Sequence, residues 1–294
     1  MQNKRCAFLS LESLADFECY DHLLLGPLGE LGWSVQEIPW RTAGADWDQF
    51  DAVLIRSTWD YQNDAAAFLE VLQSIENSTA VLANSLDLVR WNIHKSYLRD
   101  MQNRGIAVVP SVFASSWSEV IDKHLINQIN ADEFIIKPLI SANADNTFRI
   151  NLCQMDKQHS ALESTFKNRE CVLQPFMKSI ISEGEYSLFF FGAAYSHTIL
   201  KSPAAGDFRV QEEHGGRLKS VKPDNILFKT ATQVLSAVSP SPLYSRIDFV
   251  RDEDRFLLME LELIEPSLYF NMDPDSAKKF AHVFDKWFLD QVEK

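Results

Sequence analysis

The chain is poor in the features that mark several large functional classes. No run approaches the roughly twenty apolar residues that a membrane-crossing helix needs, and the apolar stretch after Met1 is interrupted too early, at Glu12 and Asp16, to read as a signal peptide. Lys and Arg form no long basic run, and the net charge of −13 opposes the phosphate attraction that dominates nucleic-acid affinity. Neither a nucleic acid nor a membrane is therefore expected as a partner. The four cysteines, Cys6, Cys19, Cys153 and Cys171, include no Cys-x-x-Cys pair and sit mostly in apolar settings. They read as reduced thiols of a cytoplasmic protein, not disulfides or zinc ligands. Gly-x-Ser-x-Gly, His-Glu-x-x-His, Gly-x-x-x-x-Gly-Lys-Ser/Thr and Gly-x-Gly-x-x-Gly are all missing, and the seven histidines have no ligand spacing.

What is present is a chain of 294 residues, 46% hydrophobic, able to bury more than one core. Segments 6–10 and 53–57 read as strands, with helices over 21–31 and 63–76, giving a small parallel α/β lobe. Arg56 and Ser57 fall at the end of the second strand, where open α/β sheets bind ligands, and Arg56 suits a substrate carboxylate as well as it suits a salt bridge. A helix over 93–104 leads to strands at 134–137 and 171–174. Further strands are expected at 186–191, 195–200 and 208–212. A closing helix over 274–289 carries Phe280, Val283, Phe284, Trp287 and Phe288 as an apolar stripe, which reads as core.

The most informative stretch is Arg246-Ile247-Asp248 followed by Met259-Glu260-Leu261-Glu262-Leu263-Ile264-Glu265-Pro266-Ser267. Residues two apart on a strand share a face, so Glu260 and Glu262 project together while Met259, Leu261 and Leu263 project oppositely. Adjacent carboxylates repel unless a hard cation or basic partner sits between them; an exposed charged hairpin is the bland alternative. For Asp248 to join them, opposed residues must pair with the parity that sets Asp248 against an even-numbered partner. That favours an odd-numbered loop, such as 252–256 or 253–255. A two-residue Glu253-Asp254 turn is disfavoured unless a bulge corrects the parity.

Taken in order, Asn92-Ile93-His94-Lys95, Phe134-Ile135-Ile136-Lys137-Pro138, Gln174-Pro175-Phe176-Met177, Glu183-Gly184-Glu185, Gly206-Asp207-Phe208-Arg209, His214-Gly215-Gly216 and the acidic hairpin resemble the ATP-grasp superfamily. Within it they are most similar to the bacterial glutathione synthetase-like ligases and the O-ureido-serine cyclo-ligase group. The resemblance runs from Asp51 to Ser267. It implies α/β and α+β architecture: an N-terminal parallel α/β lobe (1–88), a central ATP-grasp subdomain with a lid loop (89–172) and a C-terminal subdomain with the metal site (173–294), the last two clasping ATP.

By the same resemblance, Lys95 and Lys137 hold ATP phosphates, 174–177 form the adenine wall, and Glu185, with Glu183 in reserve, takes the ribose hydroxyls. Asp248, Glu260 and Glu262 hold Mg²⁺, as two ions, and Arg209 faces the transferring phosphoryl group. Two departures stand out. Glu262 replaces the commoner Asn, and the loop after Lys137-Pro138 has no glycine, so Ser141, Asn143 and Thr147 are expected to supply its donors. The implied activity is an ADP-forming carboxylate–amine ligase that works through an acyl phosphate on a small amino-acid-like or peptide-like substrate, with an intramolecular cyclisation equally consistent. A phosphotransferase and a non-catalytic nucleotide-binding regulator are the alternatives, and self-association into a homo-oligomer is left open.

Overall fold

A computed structural model describes residues 4–293. The first sheet is all parallel, in the order β2-β1-β3-β4, from β1 (Lys4–Ser10), β2 (Trp33–Pro39), β3 (Ala52–Ser57) and β4 (Val81–Ala83). Strand β3 is buried along its whole length, as expected of a near-continuous apolar run covered on both faces. One cover is the helix Ala65–Glu76, started by the Asp64 carboxylate accepting from the Ala67 amide, with Phe68, Leu72 and Ile75 turned inward.

The second sheet is antiparallel, β5-β8-β6-β7, from β5 (Val112–Ala114), β6 (Glu133–Pro138), β7 (Phe148–Asn151) and β8 (Cys171–Pro175). The third is also antiparallel, β11-β10-β9-β12-β13, from β9 (Glu185–Phe191), β10 (Ala194–Ser202), β11 (Arg217–Ser220), β12 (Tyr244–Asp252) and β13 (Arg255–Glu262). The closing helix, Ser276–Val292, bridges two sheets: Phe280 and Phe284 join a core that holds Phe8 and Leu54 of the first sheet and Phe189 and Phe191 of the third. Among the described residues no helix is long and apolar enough to cross a membrane.

Two expected elements are redrawn. Instead of one helix over 93–104, a helix ends at Asn92 and another runs Tyr97–Asn103. The break is tied down by the Lys95 amide donating to the Leu139 carbonyl at 2.8 Å, which frees the lysine side chain from a helix face. Segment 208–212 is not a strand. Asp207 accepts from the amides of Phe208 and Arg209 at 2.7 and 3.0 Å, a local pairing that competes with a ladder, and the chain then doubles back so tightly that a Cβ on Gly216 would lie 2.0 Å from the Val210 carbonyl oxygen. The edge strand forms at Arg217–Ser220 instead.

Candidate active site

The acidic hairpin sets the floor of a cleft between the second and third sheets. Its loop is the two-residue Glu253-Asp254 turn, with Glu253 at φ 54°. From Asp252↔Arg255 to Phe249↔Leu258 the ladder has the unfavourable parity, but a bulge at Met259 shifts it, and Asp248↔Glu260 and Arg246↔Glu262 then face each other. The odd-numbered loop is thus corrected to a two-residue turn plus bulge, and Met259, expected in the core, lines the cleft beside Glu260. Ile247, Phe249, Leu261 and Leu263 are packed in the core behind. Asn92 pins this end of the strand by bonding the Leu261 carbonyl (2.8 Å) and the Leu263 amide (3.0 Å).

Asp248, Glu260 and Glu262 each bring a carboxylate oxygen within 4.8 Å of the others. All donors are oxygen, the set a hard cation such as Mg²⁺ prefers, so the residues fit that ion. Basic side chains neutralise the cluster from within the chain. Lys95 reaches Glu260 at 2.7 Å and the Ser141 carbonyl at 3.0 Å. Arg246 lies 3.1 Å from Asp248 and also pairs with Glu262. Lys201 pairs with Glu185 and lies 3.6 Å from Asp248, which also accepts from Ser187 at 2.5 Å. Gly184 makes the Glu185–Lys201 approach possible: at φ +126° its missing Cβ would stand 2.6 Å from the Lys201 carbonyl oxygen.

These environments separate the acids. Glu260 is held low, at about 2; burial works against its charge, but Lys95 and Lys137 outweigh it. Glu262 is pushed up to about 7, by burial first, with Arg246 opposing and Asp248 and Glu260 adding repulsion. Lys137 has no ion pair among the described residues and its pKa is lowered, chiefly by burial, with Glu260 opposing. A lysine in that state gains from a phosphate.

The remaining expected residues divide. Gln174, Pro175 and Met177 line the cleft together with Val109, Ile135, Phe208 and Val210, a mostly apolar wall. Phe176 does not; its ring turns away onto the Arg149 guanidinium, 3.7 Å off. Glu185 lines the cleft with its carboxylate held by Lys201, whereas Glu183 is outside it, bonded to Arg251 at 2.9 Å and to the Tyr186 hydroxyl at 2.6 Å. Arg209 lines the cleft, clamped by Asp207 at 2.7 Å.

In the loop expected to act as a lid, Asn143, Ala144 and Asn146 adopt left-handed φ of 53°, 56° and 52°, so the turn a glycine would make is made without one. The Ser141 hydroxyl, expected to face phosphate, donates to the Pro138 carbonyl at 3.2 Å instead. The Asn143 side-chain amide donates to the Trp59 carbonyl (3.3 Å), which ties this loop to the first lobe, and Thr147 lines the cleft.

Arg56 and Ser57 are corrected most. Arg56 is 1% exposed and lines no part of the cleft; the carboxylate it meets is the chain's own Asp21, at 2.8 Å, with the Pro266 carbonyl at 3.2 Å. Ser57 is equally enclosed. Strand β3 ends inside a contact between lobes, so its tip is not free for a ligand. Sequence reading missed Arg246, Lys201 and Glu265. Arg246 was legible, being two residues before Asp248 on one strand face. Lys201 required the β9–β10 pairing, and Glu265 required the path of the chain after β13.

A family model described as the N-terminal domain of D-cycloserine synthetase matches residues 6–84. Over 271 residues, 88% of this chain and 90% of the relative's, the sequence is 28% identical to a cycloserine biosynthesis protein, DcsG, of Streptomyces lavendulae. The crystal structure of D-cycloserine synthetase DcsG superposes with a TM-score of 0.85 at 25% identity, covering 97% of this chain and 99% of that one. A D-alanine–D-alanine ligase from Bacillus anthracis, solved with ATP, shares the fold at a TM-score of 0.73 and 14% identity, each chain being 99% covered. The chain is thus similar to D-cycloserine synthetase along most of its length and shares the fold of these ATP-dependent ligases.

Proposed function

We propose that the protein is an ATP-dependent, ADP-forming ligase that joins a carboxylate to an amine of a small amino-acid-like substrate, by cyclisation within one molecule. The observation that carries this reading is the convergence of Lys95, Lys137, Arg246 and three carboxylates at one end of a cleft whose other wall is apolar. Such a cleft suits a nucleoside triphosphate, the base against Gln174, Pro175 and Met177, the ribose near Glu185, and the phosphates toward the lysines. The intramolecular form is favoured over two-substrate ligation because the relative similar along most of the chain is a cycloserine biosynthesis protein.

A carboxylate resists attack by an amine, so its oxygen first attacks the γ-phosphorus of ATP and ADP leaves. The amine then attacks the acyl phosphate carbon, inorganic phosphate departs and the nitrogen gives up a proton. Mg²⁺, as two ions on Asp248, Glu260 and Glu262, would supply neutralisation of the phosphate charge. The chain's part is positional and electrostatic: Lys95 and Lys137 hold phosphate oxygens, Arg246 and Arg209 face the charge that builds during transfer, and the lid at 138–147 closes off water. No protein nucleophile is required. The test is a screen of amino acids, dipeptides and O-ureido-serines for ADP release, with mass spectrometry of the products. A new C–N bond supports ligation, whereas a stable phosphate ester would support a phosphotransferase.

A further inference from the structure

Three residues beyond Glu262 the chain is clamped carbonyl by carbonyl. The Tyr244 hydroxyl lies 2.9 Å from the Ile264 oxygen, which shares its proton with the Ile55 and Ala83 carbonyls, the Trp59 indole N–H donates to the Glu265 oxygen at 2.8 Å, and Arg56 to the Pro266 oxygen at 3.2 Å. Three buried side chains thus fix three consecutive peptide groups. The side chain carried at the centre of this clamp is Glu265, 8% exposed and lining the cleft. Its carboxylate makes no hydrogen bond or ion pair with another of the described residues, and it is not one of the acids that close within 4.8 Å as a cation group. A carboxylate held in the cleft wall is poorly hydrated, and a rigid backbone denies it the freedom to reach a partner. The structure therefore pre-organises an acceptor that lacks only its donor.

The surroundings define that donor. The groups bearing on Glu265 are Glu262 from the preceding strand, Lys95, and Arg246, the ladder partner of Glu262. Tyr61 and Trp59 line the cleft beside it, and the exposed Glu18 and Glu213 stand on its rim. Glu265 thus lies next to the cations that would face a reacting carboxylate, with aromatic rings at its side. A zwitterion matches these neighbouring charges at once, since in an α-amino acid the carboxylate and ammonium are attached to one carbon.

We propose that Glu265 is the anchor for a free α-ammonium group and so restricts the substrate to unblocked amino acids. This rests on the ligase reading, because it places the substrate carboxylate at the phosphate end. Glu265 is a specificity-determining residue here, and Trp59 and Arg56 are positioning residues that act through it.

The test compares wild type with Glu265→Gln, which keeps shape and removes charge, and with Glu265→Asp. Calorimetry on the full chain with ADP and Mg²⁺ would use D- and L-alanine, D- and L-serine and both O-ureido-serines, against D- and L-lactate and glycerate, in which a hydroxyl replaces the ammonium. Expected are binding of at least one amino acid to the wild type, weakening by about ten- to a hundredfold in Glu265→Gln, a smaller loss in Glu265→Asp, and hydroxy acids that bind equally to all three proteins. ATP affinity should stay within about twofold, which also reports folding. Equal amino-acid binding by wild type and Glu265→Gln, hydroxy acids as good as amino acids, or no amino-acid binding at all would overturn the anchor. Continued substrate-dependent ADP release beside such a result would leave the ligase reading standing, whereas a wild type that neither binds ATP nor releases ADP would remove both.

Discussion

Lys201 was not singled out by sequence, yet the structure makes it a strong electrostatic support of the cleft. Its side chain is 4% exposed and faces two carboxylates, Glu185 and Asp248, which are 6% and 2% exposed. Their charges, with burial opposing, hold its pKa above the usual lysine value. Lys201→Met keeps most of the volume and removes the cation. Breaking a buried pair by deleting one partner costs about 3–5 kcal/mol because a charge is left uncompensated, and at roughly 2–4 °C per kcal/mol for a chain somewhat smaller than this one, thermal unfolding should start about 6–20 °C lower. Two controls make the cause visible in differential scanning fluorimetry. Adding Glu185→Gln removes one stranded acid and should restore part of the loss, a coupling that independent sites do not show. Millimolar Mg²⁺ should also restore part of it, since a bound cation replaces the missing charge. A midpoint within about 2 °C of wild type, or a double variant less stable than Lys201→Met, would refute this view of the residue.

Metal affinity should depend on pH through Glu262. Its pKa of about 7 lies above the ordinary 4.5, so in the metal-free protein it withdraws stability as pH rises from 4.5 through about 7, and Mn²⁺ must displace its proton below about 7. Mn²⁺ affinity, read by electron paramagnetic resonance, should rise up to about tenfold per pH unit below pH 7 and level off above, and Glu262→Asn should flatten the slope. Glu260, held at about 2, contributes stability that is present above 4.5 and lost only as pH falls toward 2; acid unfolding of Glu260→Gln should be less steep in that window. Lys137→Ala should weaken ATP far more than adenosine, because only ATP carries the charge the lysine meets, and calorimetry giving equal losses would count against its phosphate role. Asp21→Asn should destabilise the fold by about 3–5 kcal/mol by stranding Arg56, with amino-acid affinity changed far less than by Glu265→Gln; the reverse ranking would reinstate Arg56 as a substrate ligand.

Much of the cleft was legible because its chemistry is local. Period-two alternation placed Glu260 and Glu262 on one face, and parity fixed what Asp248 required, leaving only the device open; the chain uses a bulge at Met259. The glycine-free lid was readable for the same reason, since Asn tolerates the left-handed backbone that Asn143 and Asn146 adopt. Long-range partners were not legible. Arg56 looks like a ligand-binding arginine until Asp21, distant in sequence, is seen to hold it. Segment 208–212 alternates like a strand, but Asp207 bonds its amides first. Glu265 reads as one more acid in an acidic strand, and only the clamp on its neighbours shows that it is fixed and unpaired.

The central claim is that a carboxylate is activated as an acyl phosphate in this cleft. The most direct measurement supplies the amino acid that drives ADP release with ¹⁸O in its carboxyl group and follows the phosphate by ³¹P magnetic resonance. Activation by phosphoryl transfer requires one carboxyl oxygen to leave with phosphorus, so each turnover should yield one inorganic phosphate carrying one ¹⁸O together with a product containing a new C–N bond. Unlabelled phosphate, with the label retained in the organic product, would contradict the account.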